Sequence, residues 1–153
     1  MDSTPETRTK AVTAGKTFAK DVLVRFSDCD PAGIVFYPKY FEMFNNLVED
    51  WFREELQFSF PEIVSRRGWG LPTVHLEVDF KAPSSYGETV RCELRVQSVG
   101  NSSITLAIDL SGPDAAVRVK SKIVLVLIDR ASMTAIPFPD AVGERLEAFG
   151  VTR

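Results

Sequence analysis

Asp28 and Asp30 stand two residues apart in DCDPAGIVFYPKYF, directly before an aromatic-rich run. A carboxylate at a helix start lies beside unpaired N–H groups and the positive end of the helix dipole. Such a place can hold an anion, or the oxyanion that develops on a carbonyl under attack. Asp30 could act there as general base toward water or attack an acyl carbonyl itself, with N–H groups near Val35, Phe36 and Tyr37 polarising the carbonyl oxygen. The matching reaction class is acyl transfer to water. Acids before a helix more commonly serve as caps and turn formers, and spacing alone leaves both readings open for this pair.

Other chemistry has less support. His75 is the only histidine, and it alternates with Glu77 and Asp79 on the polar side of a strand, which predicts a solvated or ion-paired ring. Cys29 lies between two carboxylates that raise a thiol's pKa, so it reads as a small packing residue. One histidine and two cysteines 63 positions apart form no recognisable metal set. GWGLPT precedes a strand and is too poor in glycine for a dinucleotide loop. No metal or cofactor is expected.

The acidic pair needs elements to position it. Phe18 to Phe26 reads as a first strand, and Asp30-Pro31 with Gly33 marks a loop. Tyr37, Tyr40, Phe41, Phe44, Leu47, Val48, Trp51 and Phe52 recur every three or four residues, which predicts a long helix with Pro38 in its first turn. A shorter helix is predicted over Pro61 to Arg67, ended by Gly68 and Gly70. In TVHLEVDF, Val74, Leu76, Val78 and Phe80 face one way and the polar residues the other. Alternation returns at Cys92, Leu94 and Val96, then at Ile104 to Leu110 after a Gly100-Asn101 turn. The last strand begins with Arg118, Lys120 and Lys122 outward and then becomes IVLVLI, apolar on both faces. A partner subunit, or a short helix over Asp140 to Phe149, would cover its second face.

One strand, one long helix and a run of antiparallel strands define an α+β chain with the sheet curled around the helix. The 153 residues suit one domain, expected over 17–153, after a flexible polar tail at 1–16 that lacks the apolar stretch of a secretory signal. A net charge of −3 argues against a nucleic-acid partner. The six-residue aliphatic run Ile123 to Ile128 is far shorter than the roughly 20 residues of a membrane span, so no membrane partner is expected. Two unpaired cysteines suit a reducing compartment, and hence a cytoplasmic location.

Asp28-Cys29-Asp30-Pro31-Ala32-Gly33-Ile34-Val35, followed by Phe36-Tyr37-Pro38-Lys39-Tyr40, closely resembles the motif of the 4-hydroxybenzoyl-CoA thioesterases of the hotdog-fold superfamily. Weaker similarity runs from about Val22 to Phe138, through GLPTVHLEVDFKAPSSYGETV. The resemblance implies a hotdog fold, subunits paired through their sheets as a dimer or a homotetramer, and cofactor-free hydrolysis of an acyl-CoA thioester. It puts the catalytic carboxylate on Asp30, the carbonyl-polarising N–H near Tyr37 with Phe36 beside it, and a positioning role on Asp28.

Two positions depart from the family pattern. The turn that carries basic residues for the CoA phosphates in some members reads VGNSSI, where Asn101, Ser102 and Ser103 offer hydrogen bonds without charge. Arg66 and Arg67 are substitute phosphate contacts, with solvated surface as the plainer reading. Asn45, expected on the inner part of the helix, stands where some hydroxybenzoyl-specific relatives have an acid. With Tyr40 and Phe44 it forms the expected acyl-binding set, suited to an aromatic or other small apolar acyl group. The alternatives are a thioesterase acting on carrier-protein-bound acyl groups and a non-catalytic acyl-CoA-binding module.

Overall fold

A computed structural model of the chain describes Val12 and residues 15–151. Most of the tail expected at 1–16 therefore lies outside the described residues. Its described end is tied down: Val12 bridges Val151, and Lys16 N–H donates to Ala148 O at 2.9 Å.

The strands are β1 (Phe18–Leu23), β2 (Trp69–Gly70), β3 (Thr73–Phe80), β4 (Thr89–Val99), β5 (Ser103–Ser111), β6 (Val117–Val126), β7 (Ile128–Asp129) and β8 (Thr134–Ala135). The α-helices are α1 (Pro38–Glu54) and α2 (Asp140–Leu146), and a π-helix at Pro61–Arg66 occupies the place of the shorter helix expected over Pro61 to Arg67. Five strands form one antiparallel sheet in the order β1-β4-β5-β6-β3, and β2, β7 and β8 form a small second sheet. The larger sheet wraps α1 in the hotdog arrangement that the resemblance implies.

Helix α1 forms where the three- and four-residue apolar spacing begins, with Pro38 in its first turn and Arg53 in its last. Its buried face carries Tyr40, Met43, Phe44, Leu47, Val48, Trp51 and Phe52. Facing it are Leu94, Ile104, Leu106, Ile108, Leu110 and Val119, alternate residues of β4, β5 and β6. Each such side chain contributes roughly 1.5–3 kcal/mol by leaving water, so the helix–sheet contact dominates the fold.

Four expectations change. Strand β1 stops at Leu23, where its pairing with Thr89 of β4 ends, and Phe26–Asp28 instead form a single 3₁₀ turn. Strand β3 is largely exposed on both faces, because it is the sheet's edge: Val74, Leu76 and Phe80 are open to solvent, and only Val78 is half-buried. Arg118 does not point outward. Leu110 pairs with Val119 and Ser111 with Val117, so Arg118 is the extra residue of a bulge and its side chain turns in toward Glu88. The C-terminal segment, offered as a cover for the last strand, packs on the far end of α1, where Phe149 meets Trp51 edge-on at 5.4 Å.

Candidate active site

Residues 28–36 fold into a tight hairpin leading into α1. Cys29 bridges Val35, Asp30 N–H donates to Ile34 O at 2.9 Å, and Phe36 N–H donates to Asp28 O at 2.9 Å. Gly33 makes the reversal at φ +80°, a left-handed conformation that suits glycine. Asp28 braces the entry, its Oδ2 accepting Arg25 N–H at 2.9 Å.

Asp30 is half-buried at the hairpin tip. Its Oδ1 accepts Ala32 N–H at 2.8 Å, an Asx turn that fixes the side chain. Its second oxygen has no hydrogen-bond partner among the described residues. Tyr37, with φ −51° and ψ −34°, caps the start of α1. The amides near it divide sharply: Val35 N–H is taken by Ser84 O and Phe36 N–H by Asp28 O, both at 2.9 Å. This corrects the expectation that Phe36 is an oxyanion donor, since hairpin closure has already used its N–H. The Tyr37 N–H has no acceptor among the described residues.

An aromatic cluster forms around the Tyr37 side chain. The Tyr37 ring, 57% exposed, lies 5.5 Å from Phe36, 6.3 Å from Phe41 and 6.2 Å from Phe80, and Phe80 also meets Tyr40 at 6.0 Å. Phe80 was legible in the sequence only as the end of an apolar strand face. Nothing local signals that β3 brings it to the start of α1.

The expected acyl-binding set does not converge within one chain. Phe44 is 1% exposed and belongs to the core, so it presents no surface to a ligand. Tyr40 is buried beneath Phe80. Asn45 is exposed rather than inward, because it lies about 100° round the helix from Phe44. Asn101, Ser102 and Ser103 lie at the opposite end of the sheet from Asp30, a strand length of about 35 Å along β4. There Ser102 O accepts Leu127 N–H at 2.8 Å. Arg67 is engaged, stacked 5.3 Å over Phe58 and 4.9 Å over Trp69 and held 3.0 Å from Glu62, whereas Arg66 is exposed.

The remaining candidates sit as follows. Burial and then the neighbouring Asp28 push the Cys29 thiol above its ordinary value, and burial pushes Cys92 up to about 12, so neither is a ready nucleophile. His75 is exposed, with Nε2 3.1 Å from Glu77 Oε1. Among the described residues no His, Cys, Asp or Glu cluster could hold a metal ion, and no helix is long and apolar enough to cross a membrane.

A long helix wrapped by an antiparallel sheet defines the hotdog fold. The model of the thioesterase-like superfamily matches residues 24–146, well over half of the chain. The chain belongs to that superfamily and is a thioester hydrolase by class. It is 25% identical over 126 residues to a 1,4-dihydroxy-2-naphthoyl-CoA hydrolase from Synechocystis, covering 80% of this chain and 91% of that protein. A solved 1,4-dihydroxy-2-naphthoyl-CoA thioesterase from Synechocystis superposes with a TM-score of 0.79 at 23% identity, covering 86% and 96% of the two chains. A Staphylococcus aureus protein solved in complex with CoA superposes with a TM-score of 0.81 at 13% identity, covering 92% and 89%.

Proposed function

We propose that this protein hydrolyses an acyl-CoA thioester with an aromatic or other small apolar acyl group. The observation that carries the proposal is that a half-buried carboxylate with one open oxygen sits on the short hairpin that leads directly into the one unpartnered amide among Val35, Phe36 and Tyr37. Asp30 takes the proton from attacking water, or attacks the carbonyl carbon itself. The Tyr37 N–H receives the oxyanion, and collapse of the tetrahedral species expels CoA thiolate. In the general-base route the thiolate takes the proton Asp30 drew from water; in the nucleophilic route water then hydrolyses the acyl–Asp30 anhydride, freeing Asp30 and supplying that proton. The aromatic cluster of Phe36, Tyr37, Phe41 and Phe80 gives an apolar acyl group a surface beside that amide.

The site is built by two chains. Strand β3 has a neighbour on one side only, and Val74, Leu76 and Phe80 lie open along it. Antiparallel pairing of two β3 edges reverses one sheet against the other. The partner's Asn101–Ser103 turn then lies at the same end as the first chain's Asp30, which supports a role for that turn in holding CoA across the interface.

A screen of CoA release from benzoyl, hydroxybenzoyl, phenylacetyl and short to long aliphatic CoA esters, with the preferred acyl group repeated on a carrier protein, tests this reading. Turnover of an aromatic CoA ester in preference to its carrier-protein form is the expected result. Preference for the carrier form would replace CoA as the carrier. Tight ester binding without thiol release would replace hydrolysis with a binding role.

A further inference from the structure

The hairpin that carries Asp30 is held in place by the β3–β4 connection, residues 81–88. Val35 N–H donates to Ser84 O at 2.9 Å, Tyr86 N–H to Gly33 O at 3.4 Å, and Ile34 bridges Ser85. Whatever fixes this connection also fixes the hairpin.

The bulged Arg118 holds the connection at both ends. Its Nη1 donates to Glu88 Oε1 and its Nη2 to Glu88 Oε2, each at 3.0 Å, and Nη1 also reaches the buried Ser84 Oγ at 3.2 Å. Glu88 Oε1 accepts Ser85 N–H at 2.7 Å as well. The Arg118 carbonyl receives Lys81 N–H at 2.7 Å and Ala82 N–H at 3.1 Å. The Arg118 side chain is only 14% exposed, and a two-pronged guanidinium–carboxylate contact fixes orientation in a way a loose surface pair does not. The pair also holds Glu88 in its charged form, its pKa lowered first by the Arg118 hydrogen bond.

Gly112, in the β5–β6 turn, completes the arrangement. A Cβ there would collide with Nε, Cζ and Nη2 of Arg118, so the guanidinium occupies space that any other residue would fill.

We propose that Glu88 and Arg118 are positioning residues for hydrolysis: their ion pair sets the β3–β4 connection and, through Ser84 and Ser85, the placement of Asp30 against the Tyr37 amide. This rests on the function proposed above. Neither residue touches substrate, and the effect reaches the reacting atoms only through the hairpin. Gly112→Ala displaces the guanidinium while keeping both charges in the chain, which separates loss of the contact from loss of charge.

The test compares Glu88→Gln, Arg118→Lys and Gly112→Ala in the full chain, with Glu93→Gln from the exposed Arg91–Glu93 pair (3.6 Å) as control. The readouts are kcat and KM for benzoyl-CoA, corrected for folded fraction, and hydrogen exchange across residues 28–37. A kcat about tenfold lower at nearly unchanged KM is expected in all three, since small misplacements of reacting groups cost one to two orders of magnitude. Faster exchange at the Val35 amide should accompany it, with the control like the parent. Parent-like kcat per folded molecule, or exchange unchanged at Val35, overturns the proposal. Exchange needs no substrate, so a parent protein that hydrolyses no thioester would sink the functional reading while the clamp is still judged on its own.

Discussion

Replacing Tyr37 by proline removes one hydrogen-bond donor and an aromatic ring while leaving the backbone turn in place. Tyr37 has φ −51° and ψ −34°, and Phe36 O accepts Lys39 N–H at 2.8 Å, so it occupies the first central position of a type I turn, where proline is favoured. Its N–H has no acceptor among the described residues, so the fold loses no hydrogen bond. Stiffening the unfolded chain adds about 0.4–1 kcal/mol of stability. The lost ring removes edge contacts with Phe36, Phe41 and Phe80, and Tyr37→Ala removes the same ring while keeping the N–H. The pair of variants should therefore melt alike, within about 1 kcal/mol of each other. Their kcat should differ by roughly a hundredfold or more, the effect of deleting one oxyanion donor. The assay is thiol release from benzoyl-CoA under saturating substrate, with melting curves on the same preparations. If the two variants turn over at similar rates, the Tyr37 amide is not the oxyanion donor.

Three further outcomes are expected. The Arg118 hydrogen bond keeps the Glu88 pKa below its ordinary 4.5, so this pair's contribution to stability is full above about that pH and is lost as pH falls through the depressed value; Glu88→Gln should flatten that part of the acid denaturation profile. Leu76→Asp on the open β3 face should shift the protein toward monomer in sedimentation analysis and cut turnover with it, whereas an active monomer would refute a site shared between chains. Gly33→Ala meets no atom within 4 Å but is forced to φ +80°, so the cost should be backbone strain alone, about 1–2 kcal/mol in chemical denaturation.

The helix and the sheet were legible because α1 and strands β4, β5 and β6 each bury one face against the other, and burial on one side leaves a period in the sequence. Strand β3 shows why period is not burial. Val74, Leu76, Val78 and Phe80 alternate as a core strand would, yet within one chain only Val78 packs against the core and the other three stay open. Arg118 was misread because a bulge breaks the two-residue rhythm without any local sequence signal. In the site, Asp30 stood out by its motif, and Tyr37 by the resemblance of the same motif at the helix start. The difference between Phe36 and Tyr37 was invisible, since it depends on which amide the hairpin consumes in closing. Asn101–Ser103 could be identified as a turn, but its distance from Asp30 follows from strand length and direction, not from anything in VGNSSI.

Asp30→Asn bears most directly on the central claim. The substitution keeps the side chain's size and an oxygen for the Ala32 N–H, so the hairpin, the fold and ester binding should persist. Single-turnover hydrolysis of the best CoA ester from the screen, run beside a binding measurement on the same variant, should show affinity close to the parent's and turnover lower by several orders of magnitude. Turnover comparable to the parent's, at intact binding, would contradict the assignment of Asp30.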